Sequence, residues 1–186
     1  MRYIIKSFIL CSMLLSSALS QARESEAIET TKSGPTPREL VQQLMEVWQT
    51  GDLPKLTQIV TKDAQYVDIP NHATYDGIDG FKQYVAHVHN WADDVKIDVL
   101  SSYEGVNFAL AEWRMQAIQA RPIANRVPLA TGRKIDIRGV TIIETEKGLI
   151  TKAIDYIDVV AFMGQLGFTF IPPTEELIGQ NPPTQE

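Results

Sequence analysis

The apolar residues Leu40, Val41, Leu44, Met45, Val47 and Trp48 recur at helical spacing. Ahead of them TPRE, at 36–39, is a capping box with proline at the first helical position: the Thr36 hydroxyl and the Glu39 carboxylate can each satisfy an orphan amide, and Gly51 supplies the stop. Asp52 can cap a second, short helix bearing Leu56, Ile59 and Val60, which makes a helical hairpin. Residues 64–69 read as a short strand ended by Pro70, and the loop NHATYDG leads to a third helix carrying Ile78, Phe81, Tyr84, Val85 and Val88. After it the period falls to two. Val95, Ile97 and Val99 alternate, EGVN turns into a strand over 108–119, a further strand covers 134–144, and EKG turns that one back into 149–158. A short apolar helix, 159–166, follows. Helices first and an antiparallel meander afterwards predict an α+β domain, with the helices packed on one face of a curved sheet whose concave side can hold a pocket.

The ends read differently. Arg2 and Lys6 precede an uncharged apolar run that closes on small residues, the layout of a cleaved signal peptide over 1–22, and the run is too short to span a bilayer. Residues 23–35 are polar and read as a disordered leader, 36–170 as one domain, and 171–186 as a proline-rich tail. The expected location is therefore exported, periplasmic or secreted, with no membrane attachment after cleavage. Cys11 is the single cysteine and lies inside the signal segment, so the processed chain would carry no disulfide and no thiol ligand. Removal of the two basic residues in 1–22 leaves 15 basic against 23 acidic residues, a formal charge of about −8, which argues against nucleic-acid binding.

His87 and His89 are two apart on a helix, about 200° of rotation, and face apart; with His72 alone in a loop, no metal ligand set is expected. No nucleophile motif, phosphate loop or dinucleotide fingerprint occurs, which leaves carboxylate acid–base chemistry. Alternation along the last strand puts Ile150, Ile154, Tyr156 and Asp158 on one side, and Ala153, Asp155 and Ile157 on the other. Asp158 thus shares the more apolar face. If that face lines a pocket, desolvation raises its pKa toward the useful range; equally, Asp158 can cap the helix that follows, and the two roles are compatible. Glu112 and Arg114 share one face of their strand and read as an exposed ion pair; Trp113 faces the other way, as core or pocket floor. Tyr66 and Asp68 can look inward from the first strand.

The stretch GLITKAIDYIDVVAFMGQLG from Gly148 resembles the C-terminal signature of SnoaL-like polyketide cyclases, with Asp158 at the position of the family's aspartate. ATGRKIDIRGVTI at 130–142, EWR at 112–114 and the helical opening through TGDLPKLTQIVTKDAQYVD are similar to the family as well. The resemblance implies a cone-shaped nuclear transport factor 2-like fold with an apolar pocket, homodimerisation through the sheet, and a small apolar molecule as ligand. It also implies acid–base catalysis by Asp158, without a cofactor, in a cyclase or isomerase type of step on a carbonyl compound. Candidate substrate contacts are Tyr66, Asp68, Trp113 and Tyr156. A non-catalytic pocket for a small apolar ligand and a dimeric interaction module remain the alternatives.

Overall fold

A computed structural model describes residues 34–124 and 126–171. The expected signal segment, almost all of the leader and almost all of the tail lie outside the described residues. The capping box forms as the sequence requires, with the Thr36 amide donating to Glu39 Oε2 at 2.8 Å and the Glu39 amide to Thr36 Oγ1 at 3.2 Å. It starts α1 (Pro37–Thr50), which Gly51 ends in the left-handed conformation (φ 71°). All six apolar residues of the helical stripe are buried. A 3₁₀ turn and a one-turn helix, α2 (Leu56–Ile59), follow; Asp52 makes no side-chain cap there.

Six strands form one curved sheet, in the order β2-β1-β6-β5-β4-β3. They are β1 (Val60–Asp68), β2 (Ala73–Asp76), β3 (Ala92–Glu104), β4 (Phe108–Gln119), β5 (Lys134–Glu146) and β6 (Leu149–Ile157). α3 (Gly77–Trp91) lies between β2 and β3, and α4 (Val159–Leu166) follows β6. Two features differ from the expectation. Strand β1 begins four residues earlier, at Val60, and the NHATYDG loop contains β2, which pairs antiparallel with β1 through Tyr66 and Tyr75. Four residues bounded by turns carry too little periodicity to be read alone. Strands β3 to β6 form the expected meander, but β1 joins it in parallel, beside β6. That one parallel pairing brings residues about ninety positions apart into contact.

The concave face of the sheet packs against α1 and α3. Leu40, Leu44, Phe81 and Val85 meet Ala109, Ala111, Ile135, Ile143 and Ala153 in one continuous core. Polar cross-strand pairs occupy the opposite face. Arg114 pairs with Asp136 and Glu112 with Arg138, both across to β5, so the expected Glu112–Arg114 pair does not form. Both pairs run diagonally across the ladder, since Arg114 lies opposite Arg138 and Asp136 opposite Gln116.

Candidate functional site: a carboxylate pair on the concave face

The position of the site follows from an irregularity in β6. Ile150 pairs with Thr145 and Lys152 with Glu144, so Thr151 is an extra residue opposite a continuous β5. A β-bulge of this kind reverses the alternation beyond it. Ile150 is buried, and so are Ala153 and Asp155, although strict parity would send them to opposite faces. Asp155 therefore reaches the core at 1% exposure, whereas Tyr156, 46% exposed, lies on the outer face. The expectation that Asp158 shares the pocket face is not met, because the parity count from Ile150 crosses the bulge. Asp158 is exposed and accepts the Ala161 amide at 2.9 Å, which caps α4.

Asp155 is built in from both sides. Across β5 its register partner is Thr141, whose hydroxyl donates to Oδ1 at 2.5 Å. Across β1 its partner is Asp68, and Tyr66, two residues earlier on the same face, donates its hydroxyl to Oδ2. Thr141 is in turn held by Trp113, whose indole N–H donates to Thr141 Oγ1 at 2.9 Å. Trp113 can lie there because its register partner on β5 is Gly139: a Cβ at that position would sit inside the indole ring. The buried Asp68 accepts the Asn71 amide at 3.2 Å and the Asn71 side-chain amide. The Tyr84 hydroxyl, from α3, lines a cavity together with both carboxylates.

Burial pushes the Asp155 carboxyl up to about 7; the Thr141 and Tyr66 hydrogen bonds pull it down, and the charge of Asp68 pushes it up. Burial and the Asp155 charge hold the Tyr66 and Tyr84 hydroxyls well above the usual phenol range, so both remain neutral donors. Burial also lowers His87, with Arg126 acting in the same direction and Asp68 opposing it.

Asp68 and Asp155 open onto a cavity of about 90 Å³. A water needs roughly 10–15 Å³ on this measure, so the space holds several waters or one small organic molecule. Trp48, Trp91 and Trp113, the chain's three tryptophans, line it with Met115, Ile137 and Phe162. Tyr84, His87, Asn71 and Arg126 supply the remaining polar groups.

Of the residues expected at the site, Asp68 and Trp113 line this cavity and Tyr66 stands behind Asp155 as its hydrogen-bond donor. Tyr156 and Asp158 lie elsewhere. Asp155, Thr141, Tyr84 and Arg126 escaped the sequence reading. The one signal for Asp155 was the polar pair Thr151-Lys152, which interrupts the apolar alternation of β6 where the bulge occurs. His87 and His89 do face apart: His87 reaches the cavity, while His89 Nε2 lies 2.9 Å from the Trp48 carbonyl oxygen. Among the described residues no cluster of His, Cys, Asp and Glu could hold a metal ion.

A family model described as a SnoaL-like domain matches residues 41–153. Similar solved structures include TsrD from Streptomyces laurentii, at 25% identity and TM-score 0.61 over 72% of this chain and 98% of that one. IdmH from Streptomyces antibioticus, a candidate polyketide cyclase, matches at 17% identity and TM-score 0.63 over 72% and 100%. A protein from Catenulispora acidiphila with a ketosteroid isomerase-like fold, in complex with trimethylamine, matches at 19% identity and TM-score 0.60 over 74% and 100%. No curated protein matches the chain significantly.

Proposed function

The chain belongs to the SnoaL-like domain family, and from that premise we propose that it catalyses a cyclase or isomerase type of proton transfer on a small carbonyl compound, with Asp155 as the acid–base group. The observation that carries this reading is the Asp155 carboxyl itself. It is buried on a cavity wall, both oxygens are oriented by hydroxyl donors, and burial brings it to about 7, where it can both accept and return a proton. A buried, ionisable group in such a cavity is otherwise a cost to the fold.

In the proposed step the ionised Asp155 removes a proton from a carbon next to the carbonyl, and the electron pair of that C–H bond moves onto the carbonyl oxygen as an enolate. Tyr84, a neutral donor on the cavity wall, is available to hydrogen-bond the developing negative charge. If the deprotonated carbon also bears a C=C bond, the dienolate carries charge at the far carbon of that bond; the neutral Asp155 returns its proton there, the carbonyl re-forms, and the double bond moves next to it. Alternatively, the enolate carbon bonds to a second carbonyl carbon, closing a ring, and the new alkoxide takes the proton. The tryptophan walls bind the apolar part of the substrate and exclude water.

The test is solvent deuterium incorporation next to the carbonyl in a panel of small cyclic ketones, followed by NMR. Asp155→Asn is expected to lose a factor of about 10²–10⁴, the usual contribution of a positioned acid–base group, whereas Asp158→Asn keeps the wild-type rate. Equal exchange by the wild type and Asp155→Asn would overturn the assignment.

A further inference from the structure

The geometry points to a carboxylate-bearing substrate, whose acid group is received by Arg126 at the edge of the cavity while its reacting carbon faces Asp155. This inference deepens the reading of the cavity as the substrate site and rests on it.

Three observations converge on Arg126. The first is its lack of a partner. The other described arginines each have one: Arg38 pairs with Glu104, Arg114 with Asp136, Arg121 with Asp93 and Arg138 with Glu112, and Arg133 donates to the Gln165 carbonyl at 3.3 Å. Arg126, alone among the described arginines, has no side-chain hydrogen bond or ion pair, although it lines the cavity. Among the described residues it is also the one lysine or arginine on the cavity wall. A guanidinium presents a planar fork of donors that matches a carboxylate in two-point contact.

The second observation is that the turn carrying Arg126 is anchored. Ile123 and Val127 are buried on either side of it, and their amides and carbonyls exchange hydrogen bonds at 2.9 and 3.0 Å. The Arg126 amide itself donates to the Ile123 carbonyl at 3.1 Å. The buried Gln119 holds the rest of the connection between β4 and β5, donating to the Leu129 carbonyl at 2.9 Å and accepting from the Thr131 amide at 2.5 Å. On the other flank, Arg121 ties the connection to the carbonyls of Asn90 and Ala92 at 2.8 Å each. The guanidinium therefore starts from a fixed backbone, which limits the ordering cost of binding.

The third is the distribution of charge. The acids are Asp68 and Asp155, neighbours on the sheet floor, while the cation comes from the β4–β5 connection. A ligand carboxylate at the floor would meet two like charges; at Arg126 it meets one opposite charge. The charge pattern thus sets which end of a substrate enters first, and it keeps the reacting C–H away from the cation.

Benzoate and its neutral isostere benzamide distinguish the outcomes, with the fluorescence of the three cavity tryptophans as the readout on the full chain. We expect benzoate to bind the wild type about tenfold more tightly than benzamide, Arg126→Gln to abolish that preference, and Arg126→Lys to retain part of it. Benzamide affinity should be the same in all three. If benzamide binds as well as benzoate, or if the preference survives in Arg126→Gln, the Arg126 inference is overturned and the cavity still stands as a binding site. If neither compound binds, both readings fall together.

Discussion

At the scale of single residues, Asp155 couples function to stability through one proton. An aspartate in the unfolded chain titrates near 3.9, and in the folded protein this one titrates at about 7. Between those values the native state binds more protons than the unfolded state, so this group's contribution is most favourable below about pH 4 and is lost as pH rises through 7. In Asp155→Asn the dependence disappears. An asparagine can still accept from Tyr66 and donate to Thr141 Oγ1, while the Thr141 hydroxyl loses its acceptor; that loss does not vary with pH, so the pH dependence isolates the charge. Urea unfolding of both proteins should show wild type losing about 2–3 kcal/mol relative to the variant between pH 5 and pH 8. Parallel curves would mean that Asp155 titrates normally. None of this is visible in the string IDYID, because desolvation depends on what the other strands and helices bring to the site. Asp155 and Asp158 are chemically identical, and only their surroundings separate them.

At the scale of elements, most boundaries follow from local rules. The capping box of α1, its glycine stop and its buried stripe are short-range consequences of residue type and period, and they form as read. The EKG turn is similar: Lys147 and Gly148, both at positive φ, make the two-residue connection between β5 and β6, with Gly148 at no steric cost there and Lys147 carried into the left-handed region by the hairpin. The bulge at Thr151 is different in kind. It takes up one residue more than β5 offers a partner for, so that the pairing beyond it holds Asp155 on the inner face opposite Thr141. Deleting Thr151 would remove the extra residue and leave Ile150 and Lys152 adjacent, opposite Thr145 and Glu144, so that alternation runs unbroken with Asp155 still inward, opposite Thr141. We expect the deletion, like Thr151→Ala, to retain cooperative unfolding and deuterium exchange, because both keep Asp155 opposite Thr141. A deletion variant that unfolds cooperatively but no longer exchanges deuterium would overturn this reading of the register.

At the scale of the whole molecule, the parallel pairing of β1 with β6 assembles the site, since it sets Asp68 and Tyr66 beside Asp155. The α3 helix then closes the cavity with Tyr84 and His87, and the β4–β5 connection adds Arg126. The acidic balance of the chain and its N-terminal apolar segment bear on location. Expression in a bacterial host should yield protein in the periplasm that lacks residues 1–22, as judged by intact mass; retention of Met1 in the cytoplasmic fraction would contradict export. The sequence by itself determined the α+β class, the order of helices and meander strands, and the family resemblance. Each depends on residue type and short-range period, which do not change on folding. Only the tertiary structure decided that Asp155 is buried beside Asp68, that Asp158 is a cap, and that Arg126 lines the same cavity. Register, burial and charge pairing are relations between distant segments, and no single segment contains them.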